Sequence, residues 1–322
     1  MSFRLIVTIG PANLRKDVLP RIHALGPCIY RINGAHVQPD QLPKIAKDIR
    51  SWVRHPALLL DLPGNKVRTA RLKQPVVLKP GKTFSLRPQD VNYPLFYRHL
   101  KPGMQILAND SLFTLRVEKI NGDAIVLRSL SQGLLHSNKG LHASGIHDDI
   151  PFLFDKDLAL IAAAKRARID NLSLSFVRSA QDIGLVKKTF HTLGYAPEIF
   201  AKVEMRCAVQ RLSEILKAVK VINIDRGDLS TDVPWPELYA AQQQVVRRTL
   251  KKGRQVFLAT QFLKNMELFP VPLISEIMDV SRALADGVSG IQLSEETAVG
   301  KYPVECARLI FDFARAARRL RA

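Results

Sequence analysis

The sequence predicts an α/β chain: a (β/α)8 TIM barrel with a β-rich lid domain inserted after the third barrel strand. Three observations carry this prediction. Short apolar, β-prone runs recur eight times, and segments with apolar residues at helical spacing lie between them. One gap of about eighty residues, between the third and fourth runs, breaks the alternation. A doubly wound sheet is the structural alternative, but no GxGxxG turn follows any early strand.

The strand runs occupy residues 4–9, 29–33, 57–62, 171–177, 198–204, 221–225, 255–261 and 290–295. Helical periodicity marks residues 17–25, 156–167, 207–219, 237–250 and 279–287, and a last helix is expected over 303–322. The gap reads as strands and turns over 75–86, 104–110 and 112–130, with Pro80-Gly81 and Asn121-Gly122 as punctuation. A β-rich segment leaving one end of a barrel is the place for a lid. The expected division is therefore barrel 1–68, lid 69–149 and barrel 150–322.

Composition narrows the function. Apolar residues make up 47% and charged residues 24%, which excludes wholesale disorder. At 322 residues the fold should bury about 75% of its unfolded surface and needs no disulfides. The three cysteines, Cys28, Cys207 and Cys306, are scattered without CxxC spacing and read as reduced thiols, so a zinc site is not expected. No secretory signal and no membrane span are read, and a cytoplasmic location is expected. Forty-eight basic against 29 acidic residues give a net charge of +19, which favours anionic partners.

Barrel enzymes set reacting groups at the C-terminal ends of their strands. Those ends here carry Thr8, Arg31 with Asn33, Asp61, Ser175, Lys202 with Glu204, Asp225 to Asp228, Thr260 with Gln261, and Ser294 to Glu296. Glu204 and Asp228 suit a hard divalent cation. Lys202 lies two residues before Glu204, so strand alternation turns both to one face. An ammonium beside a metal-binding carboxylate can stabilise a transferring phosphoryl group or an enolate. A lone Lys-x-Glu usually marks a solvated strand edge, but this one closes an apolar strand. Arg31 offers a planar fork for phosphate or carboxylate. The backbone at Gly227 and Asp228 could receive a carboxylate, and Thr260 and Ser294 supply hydroxyls able to position water or relay a proton. Arg226 is open to a structural pairing with Asp225 or Glu204. No nucleophile elbow or Ser–His–Asp order supports hydrolysis.

These motifs, in this order, resemble the pyruvate kinase family across nearly the whole chain. VTIGPA at 7–12 resembles its opening strand, RINGAH at 31–36 its RLNFSH, and LLLDLPGNKVRT at 58–69 its LDTKGPEIRT. AKVEM at 201–205 resembles SKIEN, DRGDLS at 225–230 ARGDLG, ATQFLKNM at 259–266 ATQMLESM, and LSEETAVGKYPVE at 293–305 LSGETAKGDYPLE. The gap resembles the family's mobile B domain, with Asn109-Asp110-Ser111 and Asn138-Lys139-Gly140 at two of its motifs.

The resemblance implies transfer of phosphoryl between phosphoenolpyruvate and ADP, giving pyruvate and ATP. It implies Arg31 on the phosphoryl group, Lys202 on phosphoryl and enolate, and Mg²⁺ or Mn²⁺ on Glu204 and Asp228. Gly227 and Asp228 would receive the carboxylate, Thr260 and Ser294 would serve enolate protonation, and Asn33, His36, Arg68 and Lys139 would lie on the nucleotide side. The family's monovalent-cation site would correspond to Asn33, Ala35, Asp61 and Leu62, with Lys66 replacing a glutamate so that its ammonium stands in for K⁺. Turnover without K⁺ is the expectation.

Departures accompany the likeness. Asp225 replaces a small residue beside the carboxylate pocket, Glu295 replaces a glycine, and Ile274 replaces an interface arginine. The usual C-terminal effector domain is not expected, nor is sugar-phosphate allostery. Two other readings stand beside the kinase: a paralogue acting on another enolate or phosphoryl substrate, and a non-catalytic anion or nucleic-acid binder, which basic charge alone supports weakly. A homo-oligomer is compatible with the sequence.

Overall fold

The computed structural model describes residues 3–109, 111–143, 145–146 and 149–319. In chain order the strands are β1 (Arg4–Thr8), β2 (Cys28–Asn33), β3 (Ala57–Leu62), β4 (Val76–Leu78), β5 (Thr83–Leu86), β6 (Gln105–Ala108), β7 (Phe113–Asn121), β8 (Ala124–Ser129), β9 (Gly133–Leu135), β10 (Leu141–His142), β11 (Asn171–Leu174), β12 (Glu198–Val203), β13 (Val221–Asp225), β14 (Gln255–Ala259) and β15 (Gly290–Leu293). The chain divides into two compact units, Met1–Gly64 with Leu153–Ala322, and Asn65–Phe152. Residues 65–68 and 150–152 thus group with the second unit.

In the first unit β1–β3 and β11–β15 close a parallel barrel in which sequence neighbours are spatial neighbours. Each strand begins as an apolar run because its residues are buried on both faces, as parallel sheets covered by helices require. Period-two alternation then sorts the barrel interior into levels. Ile6, Ile29, Leu59, Phe200, Val221 and Phe257 form one enclosed apolar cluster. Phe257 pairs in register with Gly290, where a Cβ would come within 2.4 Å of the Phe257 ring. Only glycine leaves room for that ring. Two residues further along the same strands stand Thr8, Arg31, Asp61, Lys202, Asn223, Ala259 and Gln292, all buried.

Several strands end before their apolar runs do. The run 255–261 ends at Ala259 because Thr260 and Gln261 take left-handed conformations, with φ of 79° and 57°. The run 171–177 ends at Leu174, followed by Phe176 at φ 56°. The helical run 207–219 is broken at Arg211 into Arg206–Gln210 and Leu212–Ala218. Helix Ala180–Leu193 is well delimited: Ser179 caps its first turn by accepting from Gln181 N, and Gly194 ends it at φ 58°.

The barrel's chain leaves after β3 and returns into helix Asp155–Arg166, and one side chain ties exit to return. Asp157, fully buried in that helix, accepts from Gly64 N at 3.0 Å and from Phe154 N at 2.8 Å. Burial pushes its carboxyl above the usual range, against the pull of those backbone donors. Gly64 itself turns at φ 64°, where a Cβ would press to 3.0 Å from Ser175 O.

The second unit is antiparallel: a five-stranded sheet in the order β10-β6-β7-β8-β5 and a two-stranded ribbon β4-β9. Gly81 at φ 79° and Gly122 at φ 63° make its turns, the latter in the β7–β8 hairpin. Among the described residues no helix is long and apolar enough to cross a membrane.

Candidate active site

The strand ends of the barrel converge on one buried charge cluster. Arg31, at 6% exposure, grips Asp61 through Nε at 2.7 Å and Nη2 at 2.6 Å, while Nη1 donates to Thr8 Oγ1 at 2.9 Å. Thr8 Oγ1 in turn donates to Leu293 O at 2.8 Å, so the arginine fork is held on two sides. Lys202 Nζ, on β12, lies 2.7 Å from Glu204 Oε1, 3.3 Å from Asp225 Oδ2 and 3.5 Å from Asp61 Oδ2, and donates to Ser175 Oγ at 3.3 Å. Glu204 Oε2 accepts from Phe176 N at 2.5 Å.

Electrostatics follow from this enclosure. Burial works against the Lys202 ammonium, but Asp61, Glu204 and Asp225 together hold its pKa above the usual lysine range. Burial pushes the Glu204 carboxyl up to about 8, opposed by Lys202 and aided by Asp228 and Asp225. Arg31 stays charged: burial opposes it, and Asp61 more than compensates. One oxygen each of Glu204, Asp225 and Asp228 lie within 4.8 Å of one another. Glu204 Oε1 is enclosed and, apart from the Lys202 ammonium at 2.7 Å, has no hydrogen-bond donor on it. An all-oxygen donor set with such an atom fits a hard divalent cation.

Beside the cluster a cavity of about 570 Å³ opens in the barrel unit, lined at its polar side by Arg31, Asn33, His36, Ser294 and Glu295. Its remaining walls are largely apolar, Val299 among them. Thr260 faces the cluster from the turn that follows β14, its Oγ1 donating to Asp225 Oδ1 at 2.5 Å. Gly227 sits where a Cβ would come within 3.0 Å of Thr260 Cγ2, so the backbone there runs close beside the threonine methyl.

Arg226 departs from the pairings read in the sequence. Its guanidinium reaches Asp279 at 2.6 Å, donates to Ala259 O and Thr260 O, and stacks over Phe262 at 4.0 Å. It therefore buttresses the strained turn at Thr260. A single helical turn, Arg226–Leu229, follows β13.

Arg31, Asn33, His36, Asp61, Leu62, Lys202, Glu204, Gly227, Asp228, Thr260 and Ser294 all belong to the barrel unit. Lys66, Arg68 and Lys139 belong to the second unit. There Arg68 bridges to Gly140, Lys139 N donates to Thr69 Oγ1, and a Cβ at Gly140 would lie 2.6 Å from Lys66 Cε. The three basic residues thus gather on one short backbone bridge. Asp110, read with Asn109 and Ser111, lies outside the described residues.

Comparison with known proteins gives the family. The model of the pyruvate kinase barrel domain matches residues 2–307. The chain belongs to the pyruvate kinase family. It is 31% identical to the pyruvate kinase of Thermococcus litoralis over 97% of its own length and 69% of the relative. Identity is 32% to the Haemophilus influenzae pyruvate kinase and 31% to pyruvate kinase II of Salmonella typhimurium, each over 94% of this chain and 67% of the relative. Like the pyruvate kinases it resembles, it is a phosphotransferase enzyme.

Sequence reasoning missed two features. The Asp225–Thr260 hydrogen bond depends on the β13–β14 register, which pairs Asp225 with Ala259. The Asp157 tie joins residues 93 apart, and only a buried aspartate near a helix start hinted at it.

Proposed function

We propose that the chain moves a phosphoryl group between phosphoenolpyruvate and ADP at the Arg31–Lys202–Glu204 cluster. The observation that carries the proposal is Lys202: a buried ammonium held among three carboxylates on the ends of the barrel strands. Arg31 holds the phosphoryl oxygens with its fork, fixed in plane by Asp61 and Thr8. Glu204 and Asp228 hold Mg²⁺ or Mn²⁺, which when bound neutralises charge on the substrate oxygens. Backbone N–H groups at Gly227 and Asp228 receive the substrate carboxylate. As the bond between phosphorus and the enol oxygen breaks and one to the nucleotide oxygen forms, Lys202 takes up the negative charge left on the enolate. Thr260 and Ser294 then pass a proton to the enolate carbon. Asn33, His36, Arg68 and Lys139 serve the nucleotide, as the likeness to the family implies.

We also propose turnover without K⁺. Asp61 Oδ1 is buried and accepts no hydrogen bond, which leaves it an acceptor for a cation. We assign that charge to Lys66, which stands in the sequence where the family has a glutamate. A second reading, the same chemistry on another enolate acid, is favoured by Asp225, whose negative charge stands beside the carboxylate pocket. The proposed setting is the cytoplasm.

Turnover of phosphoenolpyruvate with ADP and Mg²⁺ or Mn²⁺, coupled to pyruvate reduction, tests the proposal. Pyruvate should form in K⁺-free buffer held at ionic strength by a large organic cation, and added sugar bisphosphate should change nothing. No pyruvate under any of these conditions would overturn the assignment in favour of the second reading; strong K⁺ activation would overturn the role of Lys66 alone.

A further inference from the structure

We propose that Asp225 is a third carboxylate ligand of the divalent cation, so that the chain binds its metal tightly before any substrate arrives. The proposal rests on the reading of Glu204 and Asp228 as metal ligands and adds a residue to that set.

Position comes first. Asp225 closes β13, two residues after the inward-facing Asn223, so strand alternation aims it at the same interior as Lys202 and Glu204. Its carboxylate, that of Glu204 and that of Asp228 bring oxygens within 4.8 Å of one another. A cation of Mg²⁺ size sits about 2.1 Å from its ligands, so two oxygens on one ion stand about 3 Å apart when adjacent and about 4.2 Å when opposite. The spacing needs only a small rotation of side chains to close on one ion.

Charge points the same way. Asp61, Glu204, Asp225 and Asp228 bring four formal negative charges to this interior, and Arg31 and Lys202 bring two positive ones. The next guanidinium, Arg226, is committed to Asp279 and to two carbonyl oxygens. Glu295 adds a further carboxylate acting on Arg31, so negative groups outnumber positive ones here, an imbalance that a bound divalent cation offsets and Asp225 enlarges.

Orientation completes the case. Asp225 Oδ1 accepts the Thr260 hydroxyl at 2.5 Å, which fixes the carboxylate plane, while Oδ2 stands 3.3 Å from Lys202, looser than the 2.7 Å contact of Glu204. Thr260 keeps that grip although it is a β-branched residue at φ 79°. The enclosed Glu204 Oε1, which apart from the Lys202 ammonium has no donor on it, is the atom the cation would join to Asp225 and Asp228. Affinity for hard cations rises with the number of charged ligands. The same added charge weakens the pull of the bound cation on an anionic substrate, which links tight metal binding to weaker acid binding.

Mn²⁺ binding to the intact chain, without phosphoenolpyruvate or nucleotide, tests this through loss of the free-ion electron paramagnetic resonance signal. The unmodified protein should bind one Mn²⁺. Asp225→Ala and Asp225→Asn should each weaken binding at least about tenfold, the second keeping the side-chain shape should the first fail to fold. Thr260→Val, which removes only the hydrogen-bond donor, should stay within about threefold. Unchanged binding in Asp225→Asn with loss in Glu204→Gln would overturn the third ligand and leave the two-carboxylate site standing. Equal losses in Thr260→Val and Asp225→Asn would overturn it too, by assigning Asp225 a hydrogen-bonding role. Unchanged binding in both Glu204→Gln and Asp228→Asn, or no Mn²⁺ bound at all, would overturn the metal site itself.

Discussion

Two levels of the same barrel interior, one step of strand alternation apart, do opposite work. The lower level, with Ile6, Ile29, Leu59, Phe200, Val221 and Phe257, is wholly apolar. The upper level sets Thr8, Arg31, Asp61, Lys202 and Asn223 on the same strands, equally buried. Burying the first set stabilises the barrel by about 1.5–3 kcal/mol for each large side chain. Enclosing the second costs stability, because each ion leaves water for an interior where pairing only partly compensates. The barrel closes on its lower level and holds the upper one in place. Stability and chemistry are stacked along one axis.

The largest expected effect lies below. Phe257→Ala removes a ring packed on Phe200 at 5.6 Å between centroids and should cost about 3–5 kcal/mol in denaturant unfolding. Turnover per folded molecule should hold, because Phe257 lies one step of strand alternation below the charged groups of the upper level. A fall in turnover without a fall in stability would break the separation of levels.

Next comes Lys202→Met above. Turnover should fall about 10²–10³-fold, or about 2.7–4 kcal/mol of transition-state stabilisation, with the circular dichroism of the fold retained. Near-normal turnover would remove Lys202 from the mechanism and with it the reading of the upper level.

The smallest effect sharpens the boundary. Asn223 Nδ2 donates to Gln292 Oε1 at 2.8 Å, both residues buried on the upper level beside the charged groups. Asn223→Ala alone should cost about 1–3 kcal/mol by stranding Gln292, whereas Asn223→Leu with Gln292→Met should be nearly neutral in thermal melts. A double variant worse than the single one would show that this pair belongs to the charged network.

Both levels were legible in the sequence to different depths. All eight barrel strands stand out because each is an apolar run that ends in polar residues, and Lys202 with Glu204 is visible as a charged pair closing such a run. Strand spacing also places Asp225 inward. What it does there was not legible: its grip on Thr260 depends on the register of β13 against β14 and on a left-handed turn that no pattern in Ala259-Thr260-Gln261 announces. Arg226 misleads for the same reason, since Asp279 is brought to it by a helix 53 residues away. The break at Arg211 escapes periodicity because both halves of the run keep their apolar spacing.

The tie made by Asp157 bears on how such a chain can change over evolutionary time. It holds the two cut ends of the barrel, at Gly64 and Phe154, through a single carboxylate within the barrel itself. Closing a loop between ends already held costs little more as the loop grows, about 0.6 kcal/mol for each doubling of its length. Segments of very different size could therefore be exchanged at this one place while the eight strands keep their register. Asp157 makes the barrel a host, with one fixed port where new modules can be tried at little risk to the rest of the fold.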